Sequence, residues 1–412
     1  MSGLALTLLL RFPGNFLVWP PYLMDLEVYR TVADRLLHGD ALRLYDPTTS
    51  ELMPFKYAPC WALLWMPLAW LSSHAGAVVW ATLTVLWLIL ACWGSLRLCR
   101  RAGLGTPPWV SAAVVIVLVR SITAEFLNGQ VDMLWALLVI GFFVGNNGHT
   151  SKRPWLTAGS LAFAIALKLP ALIVLAYLVV RRHWQTVARV LALLLATNLG
   201  TSFLLAPAHP FVLFVRWLHV LQSSSVLRAF EIGNQTLFSL IARFFSADAY
   251  RLNLFDLPTP AVFLIGFLVC ALLFSLIVQR PRPQPHRSAQ WLWDGALLTT
   301  LMVLCSPTAW VATYSALLLP VVVAIAAITT YPRLVWRDVP SVILAALAVM
   351  LSLMTHSSFW KALGIRYLRG ESYVFLVLMI LPFFALILFS LLLRQRALLA
   401  REVWSSARTP SA

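Results

Sequence analysis

Apolar segments of about 18 residues or more recur along the whole chain, and this feature constrains the fold more than any other. Of the 412 residues, 61% are hydrophobic and 11% are charged, and the mean hydropathy is +0.84. A soluble core could not bury that much apolar surface, so the pattern predicts an all-α, polytopic integral membrane protein. The first apolar stretch, near residues 4–23, lacks a small-residue cleavage site, which indicates a retained helix.

The positive charges indicate topology. The formal net charge of +16 could suggest a nucleic-acid partner, but no basic helix or basic-aromatic surface accompanies it. The charges cluster at alternate ends of successive apolar runs, as expected for cytoplasmic ends, and this predicts membrane lipids as surroundings and no nucleic-acid partner. The clusters are Arg97, Arg100 and Arg101; Lys152 and Arg153; Arg181, Arg182 and Arg189; Arg280, Arg282 and Arg287; Arg333 and Arg337; and Arg394, Arg396 and Arg401.

The charge rule predicts about nine full spans plus one hairpin. Residues 155–181 have basic clusters at both ends and Lys168 and Pro170 at their centre. Two short helices that turn there would place both basic ends on one side, whereas one long helix kinked at Pro170 would invert all later topology. The other helices are predicted near residues 4–23, 76–98, 107–124, 131–147, 185–206, 259–279, 289–305, 311–330, 340–355 and 373–393.

The predicted organisation is one transmembrane domain over residues 1–396 and a basic cytoplasmic tail over 397–412. Two loops, 25–73 and 207–257, would face outward, and they hold nine of the fifteen acidic residues. The five cysteines lie in or beside apolar segments without paired spacing, which is typical of packing residues.

The residue pattern of the first outward loop predicts two helices that lie at the membrane interface. One begins near Val28 and ends at Gly39, which places Asp25 near its N-terminus. The other covers Cys60 to Leu71, with three tryptophans predicted to lie at the level of the lipid headgroups. These are Trp61, Trp65 and Trp70.

Two ionisable residues stand out as candidates for chemistry. Asp25 ends the first apolar stretch, where partial desolvation can raise the pKa of a carboxylate toward that of a useful base, although it could also merely cap the next helix. Lys168 lies between Leu167 and Leu169 and needs an anionic partner or an aqueous cavity, unless it reaches the membrane surface. Asp132 is predicted to be only an N-terminal helix charge.

The order of seven short motifs resembles glycosyltransferase family 87. The resemblance covers about Asp25 to Pro320, and none of the motifs is specific alone. They are Asp25 with Tyr29; Gly39 with Tyr45-Asp46-Pro47; Phe55-Lys56-Tyr57-Ala58-Pro59 with Pro67-Leu68; Asn128-Gly129-Gln130; Lys168-Leu169-Pro170; Gly233-Asn234-Gln235-Thr236; and Ser306-Pro307 with Trp310.

This resemblance implies a GT-C-type glycosyltransferase fold and a hexosyltransferase of the mannosyltransferase type. The implied partners are a polyprenyl-phosphate sugar donor and a glycolipid or glycan acceptor at the outer face of the inner (cytoplasmic) membrane. Transfer would invert the anomeric carbon, with Asp25 as the general base. The implied substrate-binding residues are Tyr29, Tyr57, Asn128, Gln130, Lys168, Asn234, Gln235, Trp310 and Tyr314.

No cofactor is implied, and the sequence has neither an Asp-x-Asp motif nor a histidine cluster with ligand spacing, so no metal is predicted. The two amide motifs could read sugar hydroxyls or could simply form turns. A departure from the family lies after Trp310, where many members carry histidines and this chain has Val311-Ala312-Thr313-Tyr314. Either Tyr314 or a cation elsewhere in the chain would then contact the donor phosphate, or the protein would use a different donor. The candidate cations are Lys56, Lys168, Arg216, Arg228, Arg243, Arg251, Lys361, Arg366 and Arg369.

Two other functions remain open at this stage. A secondary transporter or lipid flippase would also be polytopic with positive cytoplasmic ends, and the hairpin resembles a broken transporter helix. Against it, the sequence has no internal repeat and no polar residues aligned at mid-bilayer in several spans. A non-enzymatic membrane scaffold would leave Asp25, Lys168 and the amide motifs unexplained.

Overall fold

The computed structural model describes residues 23–47, 53–146, 152–228, 231, 233–246, 254–279, 287–355 and 380–406. All regular structure in these ranges is helical, which confirms the predicted all-α class. The helix predicted near residues 4–23 lies outside them. The helices are α1 (Met24–Leu37), α2 (Pro59–Trp65), α3 (Ser73–Arg101), α4 (Trp109–Asn128), α5 (Asp132–Gly145), α6 (Pro154–Leu167), α7 (Leu172–Val180), α8 (Trp184–Leu205), α9 (Pro210–Arg228), α10 (Leu237–Phe245), α11 (Thr259–Val278), α12 (Arg287–Leu304), α13 (Leu318–Thr330), α14 (Pro332–Arg337), α15 (Val339–Met354) and α16 (Ile380–Ser406).

The described helices confirm a multi-pass membrane protein. Six segments are long and apolar enough to cross a bilayer, and four shorter apolar helices accompany them. Val311–Thr330 is central, with 83% of its apolar window buried, whereas Thr259–Val278 is peripheral, with 17% buried. Peripheral spans expose apolar side chains because lipid replaces protein as their neighbour. The count of nine full spans stays a prediction.

The region 155–181 forms the predicted hairpin. Helix α6 begins beside the C-terminal end of α5, where Thr157 is in close contact with Gly145. Helix α7 returns to the same level, because the Tyr177 hydroxyl donates to Asp294 at 2.5 Å, and Trp291, one turn before Asp294, donates to the Phe143 carbonyl at 3.3 Å. Both ends of the hairpin therefore lie at one end of the molecule, which excludes a single kinked span.

Pro170 determines where the hairpin turns. Helix α6 stops at Leu167, and Lys168 is extended, with φ −145° and ψ 119°. Proline has no N–H, so the Ala166 carbonyl cannot accept the usual bond from the residue four positions later. It accepts a hydrogen bond from Ala58 N at 3.0 Å instead, which attaches the first loop to the turn of the hairpin.

Two ion-pair clusters hold together the end of the molecule at which the basic residues lie, here called the basic end. Asp294 is fully buried and accepts from Arg396 Nη1 at 2.9 Å and Arg181 Nη2 at 3.5 Å. Asp338 caps α15 and accepts from Arg394 Nε at 2.9 Å. These bonds connect the hairpin, α12, α15 and α16.

Two predictions about local features need correction. Cys270 and Cys305 form a disulfide, because α11 packs beside the end of α12 and brings their Cα atoms to 6.0 Å. Trp61 and Trp65 are buried, and their rings pack against each other at 5.3 Å, since α2 packs against α1 and α8. Only Trp70 of the predicted headgroup tryptophans is strongly exposed, at 69%.

Helices also occupy two regions that the sequence analysis treated as a loop and a tail. The second outward loop, 207–257, contains the helices α9 and α10. The boundary at residue 396 falls inside α16, which continues to Ser406. Apolar patterning alone did not reveal α9, because its apolar run is short and polar residues follow from Arg216 onward.

Candidate active site

A cavity of about 860 Å³ lies away from the basic end. Its wall is formed by the start of α1, residues 53–57, the turn after α4, the hairpin turn, part of α9 and residues 306–313. Seven of the ten predicted site residues line it, namely Asp25, Tyr29, Tyr57, Asn128, Gln130, Lys168 and Trp310.

Asp25 is held at the start of α1 by the turn after α4. Gln130 Nε2 donates a hydrogen bond to Asp25 Oδ2. Gly129 ends α4 with φ +70°, and a Cβ at this position would lie 3.1 Å from Leu26 Cβ and 3.2 Å from Leu23 Cβ. Only glycine allows both the left-handed backbone and this close contact. The glycine therefore brings Gln130 within reach of Asp25.

The surroundings of Asp25 adapt its carboxyl to proton transfer. It keeps partial contact with the cavity, yet protein surrounds it, and desolvation raises its pKa from 3.8 to about 6. The positive charges of Lys168 and Lys56 oppose this rise, whereas the negative charge of Asp132 adds to it. A carboxyl with a pKa near 6 is ionised at neutral pH and still binds a proton readily, as a general base must.

Lys168 has the anionic partner that its apolar neighbours required. Its Nζ donates to Asp132 Oδ1 at 2.5 Å, and Asp132 itself is completely buried. The Thr313 hydroxyl lies 3.5 Å from Asp132 Oδ2 and accepts from Trp310 N at 3.2 Å. The prediction that Asp132 is merely a helix-terminal charge is thus wrong, because the fold places it between the hairpin and the Trp310 segment.

Glu125 is a second buried carboxyl in this region. It accepts from the Met133 backbone N–H at 2.8 Å and from the Ser315 hydroxyl at 3.2 Å. Glu125 therefore takes up one of the backbone N–H groups at the start of α5 that have no partner within the helix. The sequence already indicated that these two carboxyls are unusual, because Glu125 and Asp132 flank the motif Asn128-Gly129-Gln130 within otherwise apolar helices.

The segment Phe55 to Pro59 is held by bonds from distant elements. Trp217 of α9 donates to the Lys56 carbonyl at 2.9 Å, and the Tyr45 hydroxyl donates to the Tyr57 carbonyl at 3.1 Å. The hydroxyls of Tyr29 and Tyr57 are 2.9 Å apart. Burial raises the pKa of both phenols, so they remain protonated donors. Trp217, which lines the cavity, was not predicted as a site residue.

Asn234, Gln235 and Tyr314, which the resemblance implies as substrate-binding residues, do not line the cavity, and that role stays a prediction. They are buried behind its wall. Asn234 Nδ2 donates to the Pro307 carbonyl at 3.0 Å, and Asn234 Oδ1 accepts from Ala309 N at 3.0 Å. The Tyr314 hydroxyl donates to the Gln235 carbonyl. These residues hold residues 307–309 in place.

Gly233 packs directly against the ring of Trp310. A Cβ on Gly233 would lie 2.4 Å from the Trp310 ring, a distance that real atoms do not adopt. The motif Gly233-Asn234-Gln235 therefore shapes the wall of the cavity around Trp310, and its glycine is needed for close packing rather than for a turn.

The structure reduces the set of candidate phosphate-binding cations. Among those that it describes, Lys56 and Lys168 line the cavity. Arg216 donates to the Leu42 carbonyl, and Arg243 is buried in α10. The side chain of Arg228 and the residues Arg251, Lys361, Arg366 and Arg369 lie outside the description.

Within the described ranges, no group of three or more histidine, cysteine or acidic residues has the geometry of a metal site. The absence of a metal stays a prediction.

The cavity combines a base-like carboxyl, two cations and aromatic walls in a multi-pass membrane protein, which is suited to a membrane enzyme that acts on a polar, anionic substrate. The profile of glycosyltransferase family 87 matches residues 55–307, more than half of the chain, and this protein therefore belongs to that family of glycosyltransferases.

Two curated relatives share one name, polyprenol-phosphate-mannose-dependent alpha-(1-2)-phosphatidylinositol mannoside mannosyltransferase. The protein from Mycobacterium tuberculosis (strain ATCC 25618 / H37Rv) is 26% identical over 312 residues, which cover 66% of this chain and 68% of the relative. The protein from Mycolicibacterium smegmatis is 25% identical over 323 residues, which cover 69% of this chain and 70% of the relative.

Among solved structures, ArnT from Cupriavidus metallidurans in the apo state aligns with 92% of this chain and 72% of its own. The TM-score is 0.43 and the sequence identity is 14%.

Proposed function

We propose that this protein is an inverting membrane hexosyltransferase that moves mannose from a polyprenyl-phosphate donor to an acceptor hydroxyl, with Asp25 as the general base. The observation that carries this proposal is the position of Asp25. Its carboxyl faces the cavity, accepts a hydrogen bond from Gln130, and shares the cavity with Lys56 and Lys168.

The chemistry needs few groups because the donor already contains a good leaving group. The Asp25 carboxylate removes the proton of the acceptor hydroxyl, and that oxygen attacks the anomeric carbon. The bond between this carbon and the phosphate oxygen breaks on the opposite face. The sugar is therefore inverted, and polyprenyl phosphate leaves with the additional negative charge.

Lys56 and Lys168 stabilise the departing phosphate. A fixed cation is most effective where water is partly excluded and negative charge develops. Tyr314, which is buried behind the wall, has no part in this step. Lys56 and Lys168, on another part of the cavity wall, thus take the place of the histidine that many family members carry after the position of Trp310.

The sugar and the acceptor would contact the neutral side chains of the cavity. Tyr29, Tyr57 and Asn128 supply hydrogen-bonding groups, and Trp310 supplies an aromatic surface on which a sugar ring can stack. The two mycobacterial relatives are named for a polyprenol-phosphate-mannose donor and a phosphatidylinositol mannoside acceptor. By analogy, the donor here is a polyprenyl-phosphate hexose, and the acceptor is a glycolipid or the end of a glycan.

The cavity is proposed to open at the outer face of the inner membrane. The basic end would then face the cytoplasm, in agreement with the positive-inside rule. The apolar part of the wall includes Leu218 and Leu221 of α9, which would accompany the first isoprene units of the donor.

The test is sugar transfer from radiolabelled polyprenyl-phosphate-mannose by the purified protein in nanodiscs, with host glycolipids as acceptors. Asp25→Asn should reduce transfer by at least about 1000-fold and leave donor binding intact, since only the base is lost. Asp34→Asn is the matched control, because Asp34 lies on the same helix with a 65% exposed side chain. A fully active Asp25→Asn protein would contradict the assignment.

The same assay addresses the transporter or flippase alternative. Donor that binds and crosses the bilayer without losing its sugar would favour that function. No binding of the donor would instead direct attention to another sugar lipid.

A further inference from the structure

Asp132 lies behind Lys168, on the side away from the cavity. The Asp132 side chain has no solvent exposure, whereas the Lys168 side chain is 20% exposed and lines the cavity. Asp132 cannot touch a substrate in this position. It acts only through the groups to which it is bonded.

Asp132 connects two walls of the cavity. Its Oδ1 accepts from Lys168 at the hairpin turn, and its Oδ2 lies 3.5 Å from the Thr313 hydroxyl. That hydroxyl accepts from the backbone N–H of Trp310. One carboxylate thus links the cation of one wall to the aromatic residue of the other.

The local structure explains why this carboxylate is well placed to hold a cation. Asp132 is the first residue of α5, where the helix dipole favours negative charge. Lysine has a long, flexible stem and does not fix its ammonium group unaided. A buried, short ion pair removes that freedom, so the position of the Lys168 ammonium depends on Asp132.

We propose that Asp132 is a positioning residue that fixes the Lys168 ammonium relative to Trp310, so that the phosphate and the sugar of the donor bind at the correct separation. This inference rests on the proposed function, because it assigns the donor phosphate to Lys168 and the donor sugar to Trp310. The inference concerns the same cavity and gives a role to Asp132, which does not line that cavity.

The test is a double-mutant cycle of Asp132→Asn, Lys168→Met and the combined variant. Asp132→Asn alone should lower kcat/KM for the donor roughly 10- to 100-fold, mostly through KM. In the Lys168→Met background, the same change should alter kcat/KM by less than about twofold, since the group that Asp132 positions is gone. Equal losses in both backgrounds, or no loss in the first, would overturn the inference.

Two further variants separate positioning from folding. Asp132→Glu keeps the charge and should recover most of the lost kcat/KM even if Asp132→Asn folds poorly. Asp338→Asn breaks an acid–arginine pair at the basic end and should lower Tm slightly without changing KM. A rise in KM for Asp338→Asn as large as that for Asp132→Asn would show a general folding effect and overturn the inference.

The cycle is also measured on the Kd for polyprenyl phosphate, by quenching of tryptophan fluorescence in nanodiscs. The same non-additive pattern is expected there, and this readout does not require transfer. Wild-type protein that binds polyprenyl phosphate but transfers no sugar would refute the proposed function alone. Additive Kd changes would refute the positioning role alone, and absence of binding by the wild-type protein would refute both.

Discussion

Asp25 shows how individual residues set the chemistry of this cavity. Burial disfavours its charged form, while Lys168 and Lys56 favour it, and the net result is a pKa of about 6. Gln130 fixes the orientation of the same carboxyl. Charge and orientation thus come from residues of three separate segments.

The first prediction at this scale is a pH profile. Only the ionised Asp25 accepts a proton, so kcat/KM should rise with pH through about 6 and level off above it. An Asp25 with its ordinary pKa of 3.8 would give a flat profile between about pH 5 and 7. Initial rates across that range in nanodiscs distinguish the two cases.

The second prediction concerns Lys168. Removing its charge in Lys168→Met takes away the largest effect that lowers the pKa of Asp25. The rise of kcat/KM should therefore move to higher pH. Lys56→Met should move it in the same direction by less, because Lys56 has the smaller influence. A shift to lower pH in either variant would refute this electrostatic account.

The helix termini and turns hold the side chains of the candidate site in place. Gly129 lets the turn after α4 pack against the start of α1, and Pro170 leaves the Ala166 carbonyl free to bind Ala58. Neither interaction belongs to the apolar packing of the spans. Both arise where a helix ends and its backbone groups need other partners.

A glycine pair tests this conclusion at the scale of the elements. Gly39 and Gly129 both have left-handed backbones, with φ +79° and +70°, but a Cβ on Gly39 would meet nothing within 4 Å. Gly39→Ala should cost about 1 kcal/mol, which is the backbone strain alone. Gly129→Ala should cost roughly 2–4 kcal/mol and reduce transfer, because α1 must also move. Equal changes in Tm for the two variants would argue against the packing role of Gly129.

At the scale of the molecule, the described residues include two clusters of buried polar groups at different levels. One cluster surrounds the cavity, and the other surrounds Asp294 at the basic end, where Tyr177, Arg181 and Arg396 converge on one carboxylate. The hairpin takes part in both, with Lys168 in the first and Tyr177 and Arg181 in the second. It therefore links the site to the helices of the basic end.

The stability of this arrangement should depend on the buried cluster. Asp294→Asn leaves Arg396 buried without its full counter-charge, which should cost about 3–5 kcal/mol. The more exposed pair of Asp338 and Arg394 is screened by solvent, and Asp338→Asn should cost about 0–1 kcal/mol. Thermal unfolding in detergent measures both, and a larger loss of Tm for Asp338→Asn would contradict the difference in burial.

The membrane class and the hairpin could be predicted from the sequence because they depend on local properties. Apolar length and the positions of the basic clusters determine which segments span a bilayer and which ends share a side. The hairpin followed from Lys168 and Pro170 between two basic clusters. The motif order likewise brought Asp25, Gln130, Lys168 and Trp310 to attention one segment at a time.

The pairings within the site came only from the tertiary structure. Asp132 and Lys168 are 36 residues apart, and Asp25 and Gln130 are 105 residues apart. The lipid-facing and core-facing surfaces of a membrane helix are equally apolar, so hydrophobic periodicity does not reveal which face turns inward. Asn234, Gln235 and Tyr314 lie behind the wall because of hydrogen bonds between segments more than 70 residues apart, which the sequence does not reveal. The sequence alone thus determined the class of protein and pointed to seven of the residues that line the cavity, whereas helix packing decided which of them touch.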